Sequence, residues 1–520
     1  MQVVLFDTTL RDGAQTEGIS FSLEDKLKIA RLLDEAGIHY IEGGWPGSNP
    51  KDIEFFRQMK SIKLKHAKLA AFSSTRRAGM NVEEDTNILT LLEADTPVAA
   101  IFGKAWDFHV TDALKTTLDE NLAMIWDTVA FVKKAGREAV FDAEHFFDGY
   151  KANPNYALKC LKTAEEAGAD WLCLCDTNGG TLAFETQTII NAVKSKLKKP
   201  FGIHAHNDSD CAVSVSAMAV YCGASMVQGT INGYGERCGN ADLCSIIPIL
   251  KLKLKVDCVS DEQLKNLTEL SRHVAEIANL PQSFHQPFVG RSAFTHKAGI
   301  HASAVAKHPG TYEHIDPELV GNERRITISE LSGVSNLLSK AKEYGVDLKK
   351  DSPESKALIK TLKEMENQGY SFEEGDASFE LLLKRALGAI KPFFELEDFL
   401  VETHKKGQEM LNVRAYVKLK VKDKHFEATG IGDGPVNALD NGLRKVLEDI
   451  YPSIKTVKLT DYKVRVLDSQ AGTAARVRVI IESADETKSW GTVGVSTNVI
   501  DASWKALVDA IEYKLMLESK

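Results

Sequence analysis

ADWLCLCDTNGGTLAFETQTIINAVKSKLKKPFGIHAHND, residues 169–208, reads as strand, loop, helix and strand. Its two β-rich runs, DWLCLCD from Asp170 and FGIHAH from Phe201, are too short for helices and flank a helical stretch. The same phrase recurs through the first half of the chain. Further strand candidates are VVLF from Val3, YIEGG from Tyr40, AKLAAF from Ala67, VAAIFG from Val98, EAVFDAE from Glu138 and ASMVQGT from Ala224. Between them lie helices such as SLEDKLKIARLLDEAGI, in which Leu23, Leu27, Ala30, Leu32 and Leu33 form an apolar stripe. Gly37, Gly136, Gly168 and Gly223 sit where helix C-caps fall. Strands alternating with helices imply right-handed crossovers and a parallel sheet. Eight such units in about 250 residues match a closed (β/α)8 TIM barrel. A doubly wound open sheet is the alternative.

From about Lys251 the alternation stops. Residues 260–285 and 329–405 read as helices, with charged loops at 349–355 and 369–376. Beyond Gly407 the pattern returns to alternating strands, NVRAYVKLKV and YKVRVLDSQ, with two helices that resemble each other. Asn437-Ala-Leu-Asp440-x-x-Leu443-Arg444 matches Asn498-Val-Ile-Asp501-x-x-Trp504-Lys505, sixty-one positions on. The expected organisation is a catalytic barrel over 1–265, helical linker subdomains over 266–405 and a duplicated α/β regulatory domain over 406–520.

The chain has 520 residues, 43% hydrophobic and 26% charged, which is ordinary globular composition and excludes a disordered or fibrous protein. With 64 basic and 73 acidic residues the formal net charge is −9, which argues against a nucleic-acid partner. No apolar run reaches the roughly 18 residues of a membrane span. Asp7 and Arg11 come too early for a signal peptide. The eight cysteines therefore read as reduced thiols of a cytoplasmic protein.

In such a barrel the chemistry sits at the C-terminal strand ends. Those ends carry Asp7, Arg11 and Asp12, then Glu42, Asp142 and Glu144, then Asp176, Thr177 and Asn178. The seventh strand ends His204-Ala-His206-Asn-Asp208, and the eighth runs into Asn232, Glu236, Arg237 and Asn240. Residues two apart on a strand share a face, so His204 and His206 aim together into the barrel mouth. With Asp12, and the side-chain oxygen of Asn240, they suit one divalent cation (Mg, Mn, Fe, Co or Zn) with open positions for substrate. Arg11 is placed to stabilise negative charge developing on oxygen, or to form a salt bridge with Asp7 or Glu42. Glu144 is a candidate acid or base and Thr177 a hydroxyl donor. Lys104 could in principle form a Schiff base.

FDTTLRDGAQTEG at the start, HAHND and NGYGERCGN resemble the acyl-CoA-dependent 2-oxoacid condensing synthases, a family of 2-isopropylmalate, homocitrate and citramalate synthases. HKAGIHASAV resembles the family's linker subdomain and GIGDGPVNALDNGLRKVL its regulatory domain, so the resemblance spans the chain. YIEGGWPGSNPKDIEFF looks most like the long citramalate branch, which condenses pyruvate with acetyl-CoA. The resemblance implies that Asp12, His204 and His206 hold the metal, with Asn240 a ligand or near neighbour. It implies that Arg11 polarises the 2-oxoacid carbonyl, Thr177 contacts its carboxylate and Glu144 deprotonates acetyl-CoA. His301 and Tyr312 match linker residues that reach an active site, in relatives that of the other subunit, which implies a homodimer. The expected effector of this branch is isoleucine, against leucine in the isopropylmalate branch. A 2-isopropylmalate synthase or a metal-dependent acyl-CoA lyase are the competing readings.

Overall fold

The computed structural model describes residues 2–297, 299–326, 340–346, 348–349, 352–407 and 411–519. Eight strands, β1 (Val4–Asp7), β2 (Tyr40–Glu42), β3 (Lys68–Ser74), β4 (Val98–Lys104), β5 (Glu138–Glu144), β6 (Trp171–Asp176), β7 (Phe201–Ala205) and β8 (Met226–Gly229), close into a barrel in chain order. Every neighbouring pair is parallel, and β8 closes on β1 with Val4 opposite Met226. The expected TIM barrel is therefore present, and the open sheet is excluded. Phe6, Tyr40, Phe72, Val140 and Met226 belong to a cluster of apolar side chains from the strands. A larger apolar core includes residues of both strands and surrounding helices. Each fully buried side chain of this size contributes about 1.5–3 kcal/mol.

The helices follow from local chemistry. The first, Leu23–Glu35, starts at a capping box in which Ser22 Oγ accepts from Asp25 N at 3.2 Å and the Asp25 carboxylate accepts from Ser22 N at 2.8 Å. Its inward face buries Ile29, Ala30 and Leu33, while Leu23, Leu27 and Leu32 are half-buried. The four C-cap glycines have φ between +77° and +117°, a region that side chains with a Cβ avoid. Asp34 ends this helix by accepting three backbone N–H bonds, from Lys65, His66 and Ala67 at 2.7–2.8 Å, which ties the chain entering β3 to the helix end.

The chain forms two compact units, Met1–Phe294 with His314–Arg324, and Thr295–Glu313 with Arg325–Lys520. In the first, the helices Asp261–Lys265 and Leu267–Ile277 follow the barrel, and residues 314–324 rejoin it: Thr268 Oγ1 donates to Val320 O at 2.7 Å. In the second, β9 (Thr295–His296) pairs with β10 (Arg325–Ile326). Part of the stretch expected to be helical, 329–339 with 347, 350 and 351, lies outside the described residues. Pro353–Gln368 and Asp376–Ala386 are helices as expected. Glu395–His404 is not: it is strand β11, paired along its length with β12 (Asn412–Val421), so the expected boundary at 405/406 falls between two paired strands. Its side chains are nearly all exposed, which leaves no apolar alternation to announce a strand.

β11, β12 and β13 (Lys424–Gly432) form one antiparallel sheet, followed by the helix Pro435–Leu447. β14 (Lys458–Val466), β15 (Val477–Ala484) and β16 (Ser489–Ser496) form a second, followed by the helix Val499–Glu518. The duplication is real, but its register is sixty-four residues, not sixty-one, because the helices begin at Pro435 and Val499. Gly430 and Gly494, at this offset, bring a strand hard against its helix: a Cβ there would lie 2.1 Å from Ala438 O and 2.0 Å from Ala502 O. A helix repeats its apolar face at three and four residues, so a sequence match slides by three and still looks good. No described helix is long and apolar enough to cross a membrane, and all eight cysteines are free.

Candidate active site

The strand-end polar groups sort into those that build the barrel rim and those that face its mouth. Asp7 accepts from Thr9 N and Oγ1 at 2.9 and 2.8 Å, and Asp176 accepts from Thr181 N and Oγ1, so both carboxylates fix loops. Asn178 donates to Asp148 and Asn232 to Ser271 O. Arg237 clamps Asp208 and Thr177 O.

Asp12, His204 and His206 come together as expected. Their ligand atoms lie within 4.8 Å of one another, and all three side chains are buried. His204 Nε2 is 3.4 Å and His206 Nε2 3.9 Å from Asp12 Oδ2, and the two Nε2 atoms are 3.3 Å apart. His204 Nδ1 faces Gln228 Oε1 at 2.8 Å, and Gln228 Nε2 donates to Asp142 Oδ1 at 2.8 Å. That chain settles the tautomer: the amide oxygen requires a proton on Nδ1, which leaves the Nε2 lone pair for a ligand. Burial and the neighbouring His204 push His206 down to about 3, so its imidazole is neutral, the ligating form. Burial raises Asp12, but Arg11 and the imidazoles hold it well below the usual carboxylate range. Asp12 Oδ1, His206 Nδ1 and both amide atoms of Asn240 are buried without a hydrogen-bond partner. A backbone bridge places Asn240 beside His206. Buried orphan oxygens beside two imidazoles and a carboxylate are the donor set of a divalent cation, and these residues fit one.

Arg11 donates through Nε to Glu42 Oε1 at 2.5 Å and lies 3.1 Å from Asp12 Oδ2. The salt-bridge alternative is thus present with Glu42, while Asp7 is bound to Thr9 instead. The guanidinium carbon sits 3.8 Å from the Phe72 ring centroid, which fixes its plane. Arg11, Asp12, Glu144, Thr177, His204 and His206 all line one cavity of about 250 Å³. Thr177 Oγ1 accepts from His145 N at 2.8 Å, which leaves its proton free to donate. Lys104 is ion-paired with Glu144. His301 and Tyr312 belong to the second unit, where both are exposed and their rings stack at 4.0 Å between centroids.

Sequence reasoning missed Gln228 and the aromatic wall of the cavity. Trp45, Phe72 and Phe102 pack edge-on and stacked with centroids 5.2–5.6 Å apart. Trp45 Nε1 donates to Asn87 Oδ1 at 2.8 Å, locking the indole. The two available signals were a polar residue inside the apolar run ASMVQGT and a tryptophan three residues past a strand end.

The HMGL-like family model matches residues 2–274, the homocitrate synthase post-HMGL domain-like model residues 288–370, and the LeuA allosteric (dimerisation) domain model residues 373–515. The (R)-citramalate synthase of Geobacter sulfurreducens is 56% identical over 514 residues, covering 99% of this chain and 97% of that protein. That of Aquifex aeolicus is 56% identical over 521 residues, covering 100% and 99%. The 2-isopropylmalate synthase of Methanocaldococcus jannaschii is more distant, 30% identical over 526 residues with 100% and 96% covered. The chain belongs to the HMGL-like family and, end to end, to the (R)-citramalate synthases within it.

Proposed function

We propose that the barrel mouth condenses pyruvate with the methyl carbon of acetyl-CoA, and that water then cleaves the thioester to release (R)-citramalate and coenzyme A. The observation that carries this reading is one small cavity shared by the Asp12–His204–His206 cluster, Arg11 and Glu144 and walled by aromatic rings. A divalent cation, held by Asp12, His204 and His206 with Asn240 beside them, supplies Lewis acidity and a template for the 2-oxoacid. Arg11, its plane fixed by Phe72 and Glu42, directs its guanidinium at the keto oxygen and stabilises charge as it develops there. Thr177 donates to the pyruvate carboxylate. Glu144 removes a proton from the acetyl methyl, and the resulting carbon nucleophile attacks the keto carbon. Trp45, Phe72 and Phe102 wall the same cavity and, on this reading, limit the size of the 2-oxoacid side chain to the methyl of pyruvate. The stacked His301–Tyr312 pair is assigned a catalytic part from the family resemblance alone.

The product feeds isoleucine formation, and isoleucine is the effector proposed for the duplicated C-terminal module, in a homodimer. Thiol release from acetyl-CoA, followed with DTNB over a panel of 2-oxoacids with and without EDTA, tests the reading. Fast release with pyruvate alone, lost on chelation, is expected. Release with 2-oxoisovalerate instead keeps the chemistry and moves the substrate to the isopropylmalate type, while no release with any acid overturns the condensation and leaves the lyase.

A further inference from the structure

Lys104 and Glu144 are the last residues of β4 and β5, and the parallel register sets them directly opposite each other. The ladder continues past them, with Ala105 N donating to Glu144 O at 3.0 Å, so both backbones are pinned. Behind the pair, the buried Asn121 side chain donates to Lys104 O and to Tyr156 Oη, each at 2.9 Å. The lysine is thus held by strand pairing on one side and a buried amide on the other. Its ammonium passes 5.6 Å from the Phe102 ring centroid and pairs with Glu144 Oε2. The two side chains are only 17% and 21% exposed, so water screens the pair far less than at an open surface.

A carboxylate at the end of a long side chain rotates freely about its last bond unless something binds one oxygen. Here the ammonium binds Oε2, which leaves Oε1 as the oxygen to meet a substrate in the cavity that Glu144 lines. An ammonium held by a carboxylate is also a poor nucleophile, since attack on a carbonyl needs the free amine. We propose that Lys104 is a positioning residue: it fixes the Glu144 carboxylate so that Oε1 points at the acetyl methyl, and it forms no Schiff base. This rests on the reading of Glu144 as the base. The step it serves is a transfer of one proton from the methyl carbon to Oε1, with the electron pair of that C–H bond passing into the new carbon–carbon bond.

The test is a double-mutant cycle with E144Q and K104M in the full chain, with trideuterated acetyl-CoA as the probe. K104M is expected to lower kcat by roughly 10- to 100-fold, the scale of a misplaced catalytic group. The KM for pyruvate stays within about 2-fold, because that acid is held by other residues. The deuterium isotope effect on kcat rises, because proton removal becomes slower, and K104R recovers most of the loss. On the E144Q background K104M costs little more. K104Q serves the same comparison should K104M not fold. Near-wild-type turnover of E144Q overturns the base reading itself. An impaired E144Q beside a fully active K104M overturns only the positioning role, as does an equal loss from K104M on both backgrounds. Borohydride trapping of pyruvate on Lys104 overturns it as well.

Discussion

His204 Nδ1 lies 2.8 Å from the side-chain oxygen of Gln228, and the amide nitrogen of that glutamine donates to Asp142 at the same distance. Two buried polar residues on two strands thereby fix an imidazole on a third. The glutamine cannot flip, because its nitrogen then faces the proton on Nδ1 and its oxygen faces a carboxylate. Gln228→Leu is expected to weaken the affinity for Mn²⁺ or Mg²⁺ by about 10- to 100-fold, read as the ion concentration that restores half of full turnover after chelation. Unchanged affinity removes the orienting role.

His204→Ala deletes a proposed ligand where Gln228→Leu only loosens one. Turnover should fall by roughly 10³-fold, in keeping with several kcal/mol of charge stabilisation lost from the keto oxygen. Circular dichroism and the melting temperature should remain close to wild type, since the imidazole sits at the rim of the barrel mouth. Appreciable EDTA-sensitive turnover in this variant rules out the assigned ligand set.

Phe102→Leu opens the aromatic wall without touching Arg11, whose guanidinium rests on Phe72. The ratio of kcat/KM for 2-oxobutanoate over pyruvate is expected to rise about 10-fold, as one methylene in such a pocket is worth about 1–3 kcal/mol. A ratio that does not move places the methyl group elsewhere in the cavity.

Asp34 gives a pH-dependent term in stability. Burial raises its carboxyl, but the N–H groups of Lys65, His66 and Ala67 outweigh this and hold it below its ordinary value. A carboxyl depressed in the folded state stabilises fully above its unfolded value, near 3.9, and loses that contribution as pH falls through the folded value. Asp34→Asn should therefore cost about 1–3 kcal/mol at pH 7 and progressively less below about pH 4. Urea midpoints of both proteins at pH 7 and in acid make the comparison, and an equal deficit at both pH values contradicts it.

Gly430→Ala and Gly494→Ala each drive a methyl group into a helix carbonyl in equivalent positions of the two copies. Each should destabilise the second unit by about 1–3 kcal/mol, the usual cost of overpacking. Barrel catalysis should survive. A calorimetric transition unshifted in either variant counts against the sixty-four-residue register.

The barrel was legible because parallel strands covered on both faces are continuous apolar runs, such as WLCLC and FGIHA. The candidate ligands were legible because His204 lies on one of those runs with His206 two residues on, just past its end, and Asp12 follows another. Gln228 escaped because its value lies in which partners it meets, residues far off in sequence, and no local spacing reports that. Trp45, Phe72 and Phe102 read as ordinary core until the cavity shows which of them face its open side. β11 escaped for the opposite reason. ELEDFLVETH forms an edge with little buried surface, so its pairing with β12 rests on backbone hydrogen bonds that composition does not reveal. The repeat was found in the wrong register because Asp440–Arg444 and Asp501–Lys505 both make i,i+4 ion pairs, at 2.8 Å, on helices that begin three residues out of step with the match.

Asp12 follows the first strand of the barrel, and Asn240 follows the last, which docks back onto the first. A growing chain consequently carries no partial version of this centre. Until the eighth strand closes the ring, the carboxylate and the imidazoles belong to separate pieces of polypeptide with nothing to hold them at grasping distance. The site therefore depends on a closed ring, and a cut that lets either terminal strand peel away is expected to dissolve it.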